Sequence, residues 1–447
     1  MSNNSYSKLF MCNVHGPIRI SPMALKIINT AEFQRMRNIK QLGLCYHVYY
    51  TAMHTRFEHS IGVYHLVGRM LDKIHLQYPK KTYYIPELGK KSTKLTYKIM
   101  ECIKIAGLCH DIGHGPFSHI FDDILLKNST NYNKSHEVRS CLIVEMLCKR
   151  ELADEFPDEY ISFIKSIINP QKHNTGALYQ IVANYLNGID VDKFDYLVRD
   201  AQNAGVEIDF NPNRLINEFI IDSNNNIAYP KHCSNDIYSM FHSRYMMHKK
   251  VYSHKTVKLV ELMISDLFIK IDPIFKISES INDMNQFCKL TDETIFNYIQ
   301  IIRSPPNFIE IKLTKMELEN IDKAYKIYKK IISRKLYKQI TETSDDEEAY
   351  FKKFFESLID KYEYQDNCFD IIKTTVGYVS GNKPDPFNSI YFYDKKENNN
   401  SFTLDKSYIS GLMGKNIQET RTHLVCKKRS IHNIVKDEFK DYKKSKN

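Results

Sequence analysis

Side chains that bind metals are concentrated in four short segments of this sequence. The segments are residues 56–59, 110–114, 116–119 and 190–193. Two imidazoles and two carboxylates from these segments would form a mixed nitrogen and oxygen ligand set, which suits Mn, Fe or Zn and, less well, Mg. Such a set leaves coordination positions open for water and phosphate oxygens, and open positions distinguish a catalytic metal from a structural one. The sequence therefore indicates hydrolysis at a metal centre.

Three predicted helices have to bring these segments together. Hydrophobic periodicity predicts them over residues 57–76, 97–110 and 190–201. Adjacent helical residues point about 100° apart, so His110 and Asp111 can share a metal only in a special geometry, such as the end of a helix. Two glycines follow the pair and relax the backbone there. His59 would reach in from the preceding helix and Asp192 from a later one, as in helical-bundle metal sites.

The His-Asp pair on its own is weak evidence for a metal site. Such a pair is usually a surface or hydrogen-bonded dyad, and an ordinary buried polar network is the alternative for the whole set. The complete pattern is more specific, because it adds a Gly-His-Gly-Pro-Phe-Ser-His continuation, an upstream Arg-Phe-Glu-His and a downstream Asp-Val-Asp-Lys.

The rest of the chain is also predicted to be mostly helical. Further helices are expected over residues 136–151, 159–168, 176–186, 236–272 and 313–340. Strand-like alternation begins after about residue 370. We expect a domain over residues 1–300, a smaller α+β lobe over residues 301–440 and a basic tail over residues 441–447.

The composition is that of a soluble globular protein, with 43% hydrophobic and 26% charged residues. The net charge of +10 would suit a nucleotide or a nucleic acid, but a solvated lysine-rich surface is the commoner explanation. The 10 cysteines form no Cys-x-x-Cys pair, which indicates free thiols in a reducing compartment. We see no signal peptide and no bilayer-spanning stretch. We therefore expect an intracellular protein without membrane contact, either cytoplasmic or nuclear.

Several longer motifs resemble those of one enzyme family. They lie at residues 33–35, 39–43, 56–60, 106–111, 113–119, 187–193, 240–242 and 289–292. They are similar to motifs of the HD-domain deoxynucleoside triphosphate (dNTP) triphosphohydrolases, most closely those whose animal members carry a sterile-alpha-motif domain. The resemblance is dense from about residue 8 to residue 296. We expect no sterile-alpha-motif domain here, since the similar region begins almost at the first residue.

The resemblance implies a mainly α fold, an HD-superfamily helical bundle with a smaller α+β C-terminal lobe. Residues 1–300 would be the catalytic HD phosphohydrolase domain. The implied ligands of a divalent transition metal (Fe, Mn or Zn) are His59, His110, Asp111 and Asp192. Mg could accompany the substrate.

The resemblance also implies which residues carry out proton transfer. His114, His119 and His136 would line the α-phosphate, with Asp122 nearby. We expect His119 with Asp122 to be the acid/base pair, and His114 and His136 to stabilise developing charge, since histidine can fill either role near neutral pH. The sequence leaves open which histidine does which, and a structural role is the alternative for His136.

Cationic residues of the resembling motifs are expected to hold the triphosphate. Arg56 and Lys193 are positive donors suited to phosphate oxygens, and ordinary salt bridges are the alternative for both. Arg244 corresponds to a further arginine that contacts phosphate in the family.

Five residues would recognise the deoxyribose by resemblance. Tyr196 would pack on the sugar, and Asp200 and Gln41 would bond the 3′-hydroxyl. Leu42 and Tyr252 would crowd the 2′ position and reject ribonucleotides. Plain core packing is the alternative for Leu42 and Tyr196.

The regulatory half of the resemblance is weaker. Lys8, Gln34 and Arg37 match positions that hold an activating guanine nucleotide between the subunits of a dimer or tetramer. Asn29 stands where the family has an aspartate that reads guanine, and its amide loses the charge and adds a donor. Activation by a guanine nucleotide, and a homo-oligomer, are therefore open expectations.

Taken together, the predicted activity is metal-dependent hydrolysis of a dNTP to a deoxynucleoside and inorganic triphosphate, by attack of water on the α-phosphate. Two alternatives remain. One is an HD phosphohydrolase acting on another nucleotide or on a nucleic-acid end. The other is a nucleic-acid-binding protein that kept the fold, for which the positive charge is the support.

Overall fold

The computed structural model describes residues 7–89, 91–127, 129–303, 312–344, 347–379, 381, 384–396, 400–411, 413–414 and 416–444. The secondary structure is mainly helical, which confirms the predicted fold class. The α-helices are α1 (Pro22–Ile28), α2 (Ala31–Gln34), α3 (Arg56–Gln77), α4 (Tyr97–Cys109), α5 (His136–Glu151), α6 (Asp158–Ile168), α7 (Val191–Ala204), α8 (Pro212–Glu218), α9 (Ser234–Met247), α10 (Lys255–Phe275), α11 (Met284–Phe287), α12 (Asp292–Arg303), α13 (Lys315–Ile332), α14 (Glu348–Tyr362), α15 (Lys406–Ile409) and α16 (His432–Lys444).

The strands are short and form small sheets. They are β1 (Lys8–Cys12), β2 (Gly16–Ile20), β3 (Thr82–Tyr83), β4 (Thr93–Lys94), β5 (Ile220–Ile221), β6 (Ile227–Pro230), β7 (Lys338–Thr343), β8 (Phe369–Gly377), β9 (Tyr391–Tyr393) and β10 (Gln418–Cys426). Two antiparallel pairs, β1-β2 and β3-β4, stand alone, while β5-β6-β9 and β7-β10-β8 are three-stranded. Only the β6-β9 pairing is parallel among these strands.

The chain divides into two compact units. The first consists of Met1–Ser243, Ile277–Ile295 and Asp385–Met413, and the second of Arg244–Lys276, Phe296–Pro384 and Gly414–Asn447. Both units are discontinuous in sequence, whereas the sequence-based division at residue 300 is a single cut, and that division stays a prediction. Within the predicted tail, residues 441–444 form the last turn of α16 and residues 445–447 lie outside the described residues.

The first unit is a helical bundle in which α3 packs against both α4 and α7. Helix α3 begins where Thr55 and Glu58 form a capping box, a reciprocal arrangement that satisfies backbone N–H groups at a helix start. Helix α7 is capped by Asp190, whose side chain accepts from the backbone N–H of Lys193. These caps fix the first turns of the two helices, and those turns carry His59 and Asp192.

The second unit has the α+β character expected of the C-terminal lobe. Its sheet β7-β10-β8 is antiparallel throughout. Apolar side chains of α14 and α16, among them Phe351, Phe354 and Phe439, form a buried cluster with Leu424 and Cys426 of β10. Helices α10 and α13 of the same unit pack against each other.

Three predicted helices differ from the structure. Residues 176–186 contain a 3-10 helix (Ala177–Gln180) in place of the predicted α-helix, and the Asn184 side chain bonds the carbonyl of Ile189 instead of continuing a helix. Residues 236–272 are split into α9 and α10 by a π-helical turn (His248–Tyr252). The predicted helix over residues 313–340 ends at Ile332, and β7 follows.

Two expectations from composition concern cysteines and membranes. All ten cysteines are free thiols, and most are buried. Within the described ranges, no helix combines the length and the apolar character that crossing a bilayer requires.

Candidate metal centre

The four predicted ligands converge in the first unit. The Nε2 atoms of His59 and His110 lie 3.2 Å apart, and Asp192 Oδ1 lies 3.1 Å from the first and 3.4 Å from the second. Asp111 Oδ2 lies 3.5 Å from His59 Nε2, and Asp111 Oδ1 lies 3.5 Å from His110 Nε2. Two imidazole nitrogens and two carboxylates therefore face a common point. His59 comes from α3, His110 and Asp111 from the end of α4, and Asp192 from α7.

These separations fit a shared metal ion. A metal with bonds of about 2.1 Å places neighbouring ligand atoms about 3.0 Å apart in an octahedron and about 3.4 Å apart in a tetrahedron. Asp192 is the most exposed of the four side chains, at 29% against 10% or less for the others. The open side of the centre is therefore at Asp192. Metal binding by this set stays a prediction.

Hydrogen bonds orient both imidazoles. His110 Nδ1 donates to the carbonyl of Gly107 at 2.8 Å, and His59 Nδ1 donates to Asp195 Oδ2 at 2.8 Å. In each ring the bonded Nδ1 carries the proton, so that Nε2 is left with a lone pair directed at the centre. Asp195 is completely buried and forms an ion pair with Arg199.

The carboxylates around the imidazoles favour positive charge at the centre, either as a proton on an imidazole or as a bound metal ion. Burial opposes charge on His59, but hydrogen bonds to Asp192 and Asp195 raise its pKa to about 10. Burial likewise opposes charge on Asp111, yet Arg56 and His110 hold the pKa of this carboxyl well below its usual range. A proton or a metal ion can satisfy such a set of carboxylates, and metal binding then releases the proton.

Arg56 lies directly beside the four residues. Its guanidinium contacts Asp111, and its Nε donates to Ser118 Oγ at 3.0 Å. Phe117 and Ser118 adopt φ values of 59° and 57°, a strained conformation for residues other than glycine. Asp292 stabilises this loop by accepting the N–H of Phe117 at 2.6 Å. The strained loop thus fixes the guanidinium next to the candidate centre.

The three predicted catalytic histidines form one cluster. The rings of His114 and His136 stack with centroids 3.9 Å apart, and the ring of His119 lies 5.3 Å from that of His114. His114 Nε2 is 3.3 Å from Asp111 Oδ1, which links the cluster to the centre. The predicted partner of Asp122 is His119. In the structure, however, the carboxylate of Asp122 accepts a hydrogen bond from His136 Nδ1 at 2.9 Å. Asp122 is therefore paired with His136.

The protonation preferences of these histidines differ. Burial disfavours charge on His136, but the hydrogen bond to Asp122 raises its pKa above the ordinary value. Burial, with Arg56 nearby, lowers the pKa of His119 to about 4. Burial and Arg56 also lower the pKa of His114 well below its ordinary value. His136 is thus the member of the cluster that most readily holds a proton near neutral pH.

A second buried polar group contains two of the predicted sugar-binding residues. Asp200 Oδ1 accepts from His54 Nε2 at 2.8 Å, and the backbone N–H of Gln41 donates to the carbonyl of His54 at 3.0 Å. Among the described residues, neither Gln41 Oε1 nor His54 Nδ1 has a hydrogen-bond partner, although both atoms are buried. We refer to Gln41, His54 and Asp200 as the Asp200 cluster.

The remaining predicted substrate residues are divided between the units. In the first unit, Tyr196 lies edge-on to His59 at 6.5 Å between ring centroids, Lys193 Nζ is 3.1 Å from Asp190 Oδ2, and Leu42 is half-buried. Arg244 and Tyr252 belong to the second unit. There the Arg244 guanidinium contacts the carbonyl of Gly377, and the ring of Tyr252 packs edge-on against His248.

The predicted regulatory residues lie on or near the surface of the first unit. Lys8 begins β1 and Asn29 follows α1, and both are exposed. Gln34 Nε2 donates to the carbonyl of Ile28 at 2.7 Å, and Arg37 stacks 3.6 Å above the ring of Phe57. Their contacts are local, and their regulatory role stays a prediction.

Four residues that support these clusters lie outside the matching sequence motifs. They are His15, His54, Asp195 and Arg199. Asp195 and Arg199 follow Asp192 by three and seven residues, so helical spacing puts all three on one face of α7 and could have identified them. His15 and His54 precede the matched helices in loops, where no periodicity marks them.

Comparisons with known proteins identify a matching domain and several similar chains. The HD domain profile matches residues 56–200, which contain all four candidate ligands. An HD domain-containing protein of Acanthamoeba polyphaga mimivirus is 56% identical over 99% of this chain and 97% of its own length. The deoxynucleoside triphosphate triphosphohydrolase SAMHD1 homologue of Dictyostelium discoideum is 32% identical over 100% of this chain and 82% of its own length.

The chain belongs to the HD-domain dNTP triphosphohydrolase family. The human deoxynucleoside triphosphate triphosphohydrolase SAMHD1, which is 32% identical over 93% of this chain and 70% of its own length, supports the same assignment. The chain is accordingly a hydrolase, and the resemblance inferred from short motifs extends over nearly all of its length.

Proposed function

We propose that this enzyme hydrolyses a dNTP to the deoxynucleoside and inorganic triphosphate, with water attacking the α-phosphate. The observation that carries the proposal is the convergence of His59, His110, Asp111 and Asp192, in which the two imidazole Nε2 atoms lie 3.1–3.5 Å from each other and from an oxygen of each carboxylate. The alternative of an ordinary buried polar network explains neither the open side at Asp192 nor the adjacent guanidinium and histidines.

The four residues would hold Fe, Mn or Zn, and Mg could accompany the substrate. A divalent ion bound there would polarise a phosphate oxygen and lower the pKa of a water molecule. Arg56 is positioned to neutralise charge on the phosphate that develops during attack. Lys193 is a second cation for the triphosphate, and Arg244 corresponds to a further phosphate-contacting arginine of the family.

His136 and His119 would divide the proton transfer. His136, kept charged by Asp122, would stabilise the charge that develops on the 5′-oxygen of the departing deoxynucleoside or protonate that oxygen. His119 would be neutral, because burial lowers its pKa to about 4, and so could accept a proton. His114 lies between Asp111, 3.3 Å from its Nε2, and His136, on which its ring stacks, and would keep the histidine cluster in place beside the metal ligands.

The Asp200 cluster is the proposed 3′-hydroxyl site. The Asp200 carboxylate would accept a hydrogen bond from the hydroxyl, and the Gln41 amide would donate one to it. Tyr196 would pack on the sugar. Leu42 and Tyr252 would exclude a 2′-hydroxyl. Regulation by a guanine nucleotide at Lys8, Asn29, Gln34 and Arg37, in a dimer or tetramer, is a further proposal that rests on the family alone.

Product analysis with each dNTP tests the proposal. The purified enzyme is incubated with Mn²⁺, Fe²⁺ or Mg²⁺, and deoxynucleoside and triphosphate are separated by ion-pair chromatography. We expect both products in equal amounts from wild type. Asp192→Ala should lose metal and activity together, whereas Asp72→Ala, which removes an exposed carboxylate of α3, should behave as wild type. Wild-type protein that binds metal but converts no dNTP would contradict the proposal.

A further inference from the structure

The carboxylate of Asp195 is saturated with hydrogen bonds. Its Oδ2 accepts from His59 Nδ1 and from Arg199 Nε, both at 2.8 Å. Its Oδ1 accepts from Arg199 Nη2 at 2.8 Å and from His15 Nε2 at 2.6 Å. A carboxylate offers about four acceptor positions, so none is left for another group. The side chain is completely buried, and its charge is balanced by the guanidinium.

This arrangement determines which nitrogen of His59 faces the candidate metal. The Asp195 carboxylate can only accept a hydrogen bond, so His59 Nδ1 carries the proton. The lone pair of His59 Nε2 then faces the other three candidate ligands, His110, Asp111 and Asp192. Ligating histidines commonly donate their second ring N–H to a carboxylate, which fixes the ring and makes it a better ligand. Without the acceptor, His59 could rotate or adopt the other tautomer.

The packing of α3 against α7 is adapted to the Asp195–Arg199 pair. Gly62 faces it from α3, and a Cβ added there would lie 1.9 Å from Asp195 Oδ1 and 2.4 Å from Arg199 Nη2. No side chain larger than hydrogen fits at this point. A buried ion pair is often no more stabilising than apolar packing. Stabilising the contact between α3 and α7 is therefore not a sufficient reason for an ion pair that also requires a glycine at position 62.

The β1–β2 turn (residues 13–15) completes the network from outside the helices. The ring of His15 supplies the fourth hydrogen bond to Asp195, and the backbone nitrogen of His15 lies 3.5 Å from Cys12 Sγ. Arg199 also reaches the turn, with Nη1 3.4 Å from Asn13 Oδ1. One side of the turn therefore contacts both members of the buried ion pair.

We propose that Asp195 is the residue that positions His59 for metal binding, and that His15 of the β1–β2 turn positions Asp195. The hairpin of β1 and β2 is then part of the metal centre's support, although it supplies no ligand. The inference rests on the proposed function only in that His59 binds a metal.

Metal affinity in matched variants tests this role. Apparent dissociation constants for Mn²⁺ or Zn²⁺ are obtained by competition with a chromophoric chelator, and bound metal is counted after desalting. Asp195→Asn keeps the shape but loses the charge, and we expect affinity to fall about 10–100-fold. His15→Ala should weaken binding less, and His15→Gln should recover most of it, because the amide still donates. His75→Ala, an exposed histidine of α3, is the control.

The outcomes separate this inference from the proposed function. If wild type binds metal and His15→Ala binds it as tightly, the inference is wrong, whatever the thermal stability of the variant. If Asp195→Asn does not fold, the His15→Ala and His15→Gln pair decides alone. If the variants lose metal but wild type with metal hydrolyses no dNTP, the inference stands and the proposed function fails.

Discussion

The two sides of the site differ in how their buried polar groups are satisfied. Beside His59, the carboxylate of Asp195 accepts four hydrogen bonds from the protein. In the Asp200 cluster, Gln41 Oε1 and His54 Nδ1 are buried and have no partner among the described residues. An unpaired buried polar atom costs about 1–3 kcal/mol, and native proteins rarely keep one without a reason.

That difference distinguishes residues that hold the candidate metal ligands in place from residues that bind the substrate. Groups whose hydrogen bonds are complete hold the candidate ligands in place and have nothing left to offer a substrate. Groups with an unused acceptor are suited to a ligand that donates a hydrogen bond to it, as a sugar hydroxyl would. Substitutions on the Asp195 side should therefore disturb metal binding and folding, whereas substitutions in the Asp200 cluster should disturb substrate affinity.

The largest expected effect comes from Gly62→Ala. The added methyl group overlaps Asp195 and Arg199, so either the ion pair breaks or α3 and α7 separate, at a cost of about 3 kcal/mol or more. Urea denaturation gives the free energy of unfolding, and the same samples are assayed for metal. The control is Gly68→Ala in the same helix, where the nearest atom to a new Cβ is Lys104 Cε at 3.8 Å. That change should stabilise the helix by about 0.5–1 kcal/mol. Equal stability of the two variants would show that the α3–α7 contact is not tight.

The next effect concerns the Asp200 cluster. We expect Asp200→Asn and His54→Ala to raise the KM for a dNTP roughly 10–100-fold through lost hydrogen bonds, with metal content unchanged. A 2′,3′-dideoxynucleoside triphosphate provides the matched substrate, because it lacks the hydroxyl. Wild type should discriminate against it, and Asp200→Asn should discriminate less. Full discrimination in Asp200→Asn would remove the cluster from sugar recognition.

A smaller effect is expected in the pH dependence of kcat. The hydrogen bond to Asp122 raises the pKa of His136, so the imidazole stays charged to higher pH and loses its proton only above its ordinary range. If catalysis needs the charged form, Asp122→Asn should move the alkaline limb of the profile to lower pH. Asp123→Asn, the exposed neighbour, is the control. An unshifted limb would mean that His136 does not act in its charged form.

The smallest effect concerns regulation. Asn29 lacks the charge with which the family's aspartate reads guanine, so we expect GTP to change dATP turnover of wild type by no more than about threefold. Asn29→Asp should increase the response to GTP. Strong activation of wild type that this substitution leaves unaltered would show that Asn29 is not part of a regulatory site.

The sequence predicted the principal helices and the convergence of the ligands better than it predicted their supports. Residues 136–151 are helical as predicted, and α3, α4 and α7 begin or end within a few residues of the predicted bounds. Periodicity detects long amphipathic helices, and motif matches locate residues that bear chemistry. Neither detects His15 or His54, whose roles depend on contacts with residues 180 and 146 positions away.

The partner of Asp122 shows the same limit. The resemblance favoured His119, which is three residues away in sequence, whereas His136 is fourteen residues away. The π-helical turn Phe121–Leu125 carries Asp122 instead against the first residue of α5. Irregular turns of this kind have no periodic signature, and the pairing could not be derived from the sequence.

The most direct test of the proposed chemistry is hydrolysis in H₂¹⁸O. Attack of water on the α-phosphate places one labelled oxygen in the inorganic triphosphate and none in the deoxynucleoside, which mass spectrometry of the two products resolves. The account predicts this labelling for wild type with metal, and no labelled product from Asp192→Ala. Label in the 5′-hydroxyl of the deoxynucleoside, or release of a deoxynucleoside monophosphate with pyrophosphate, would contradict it.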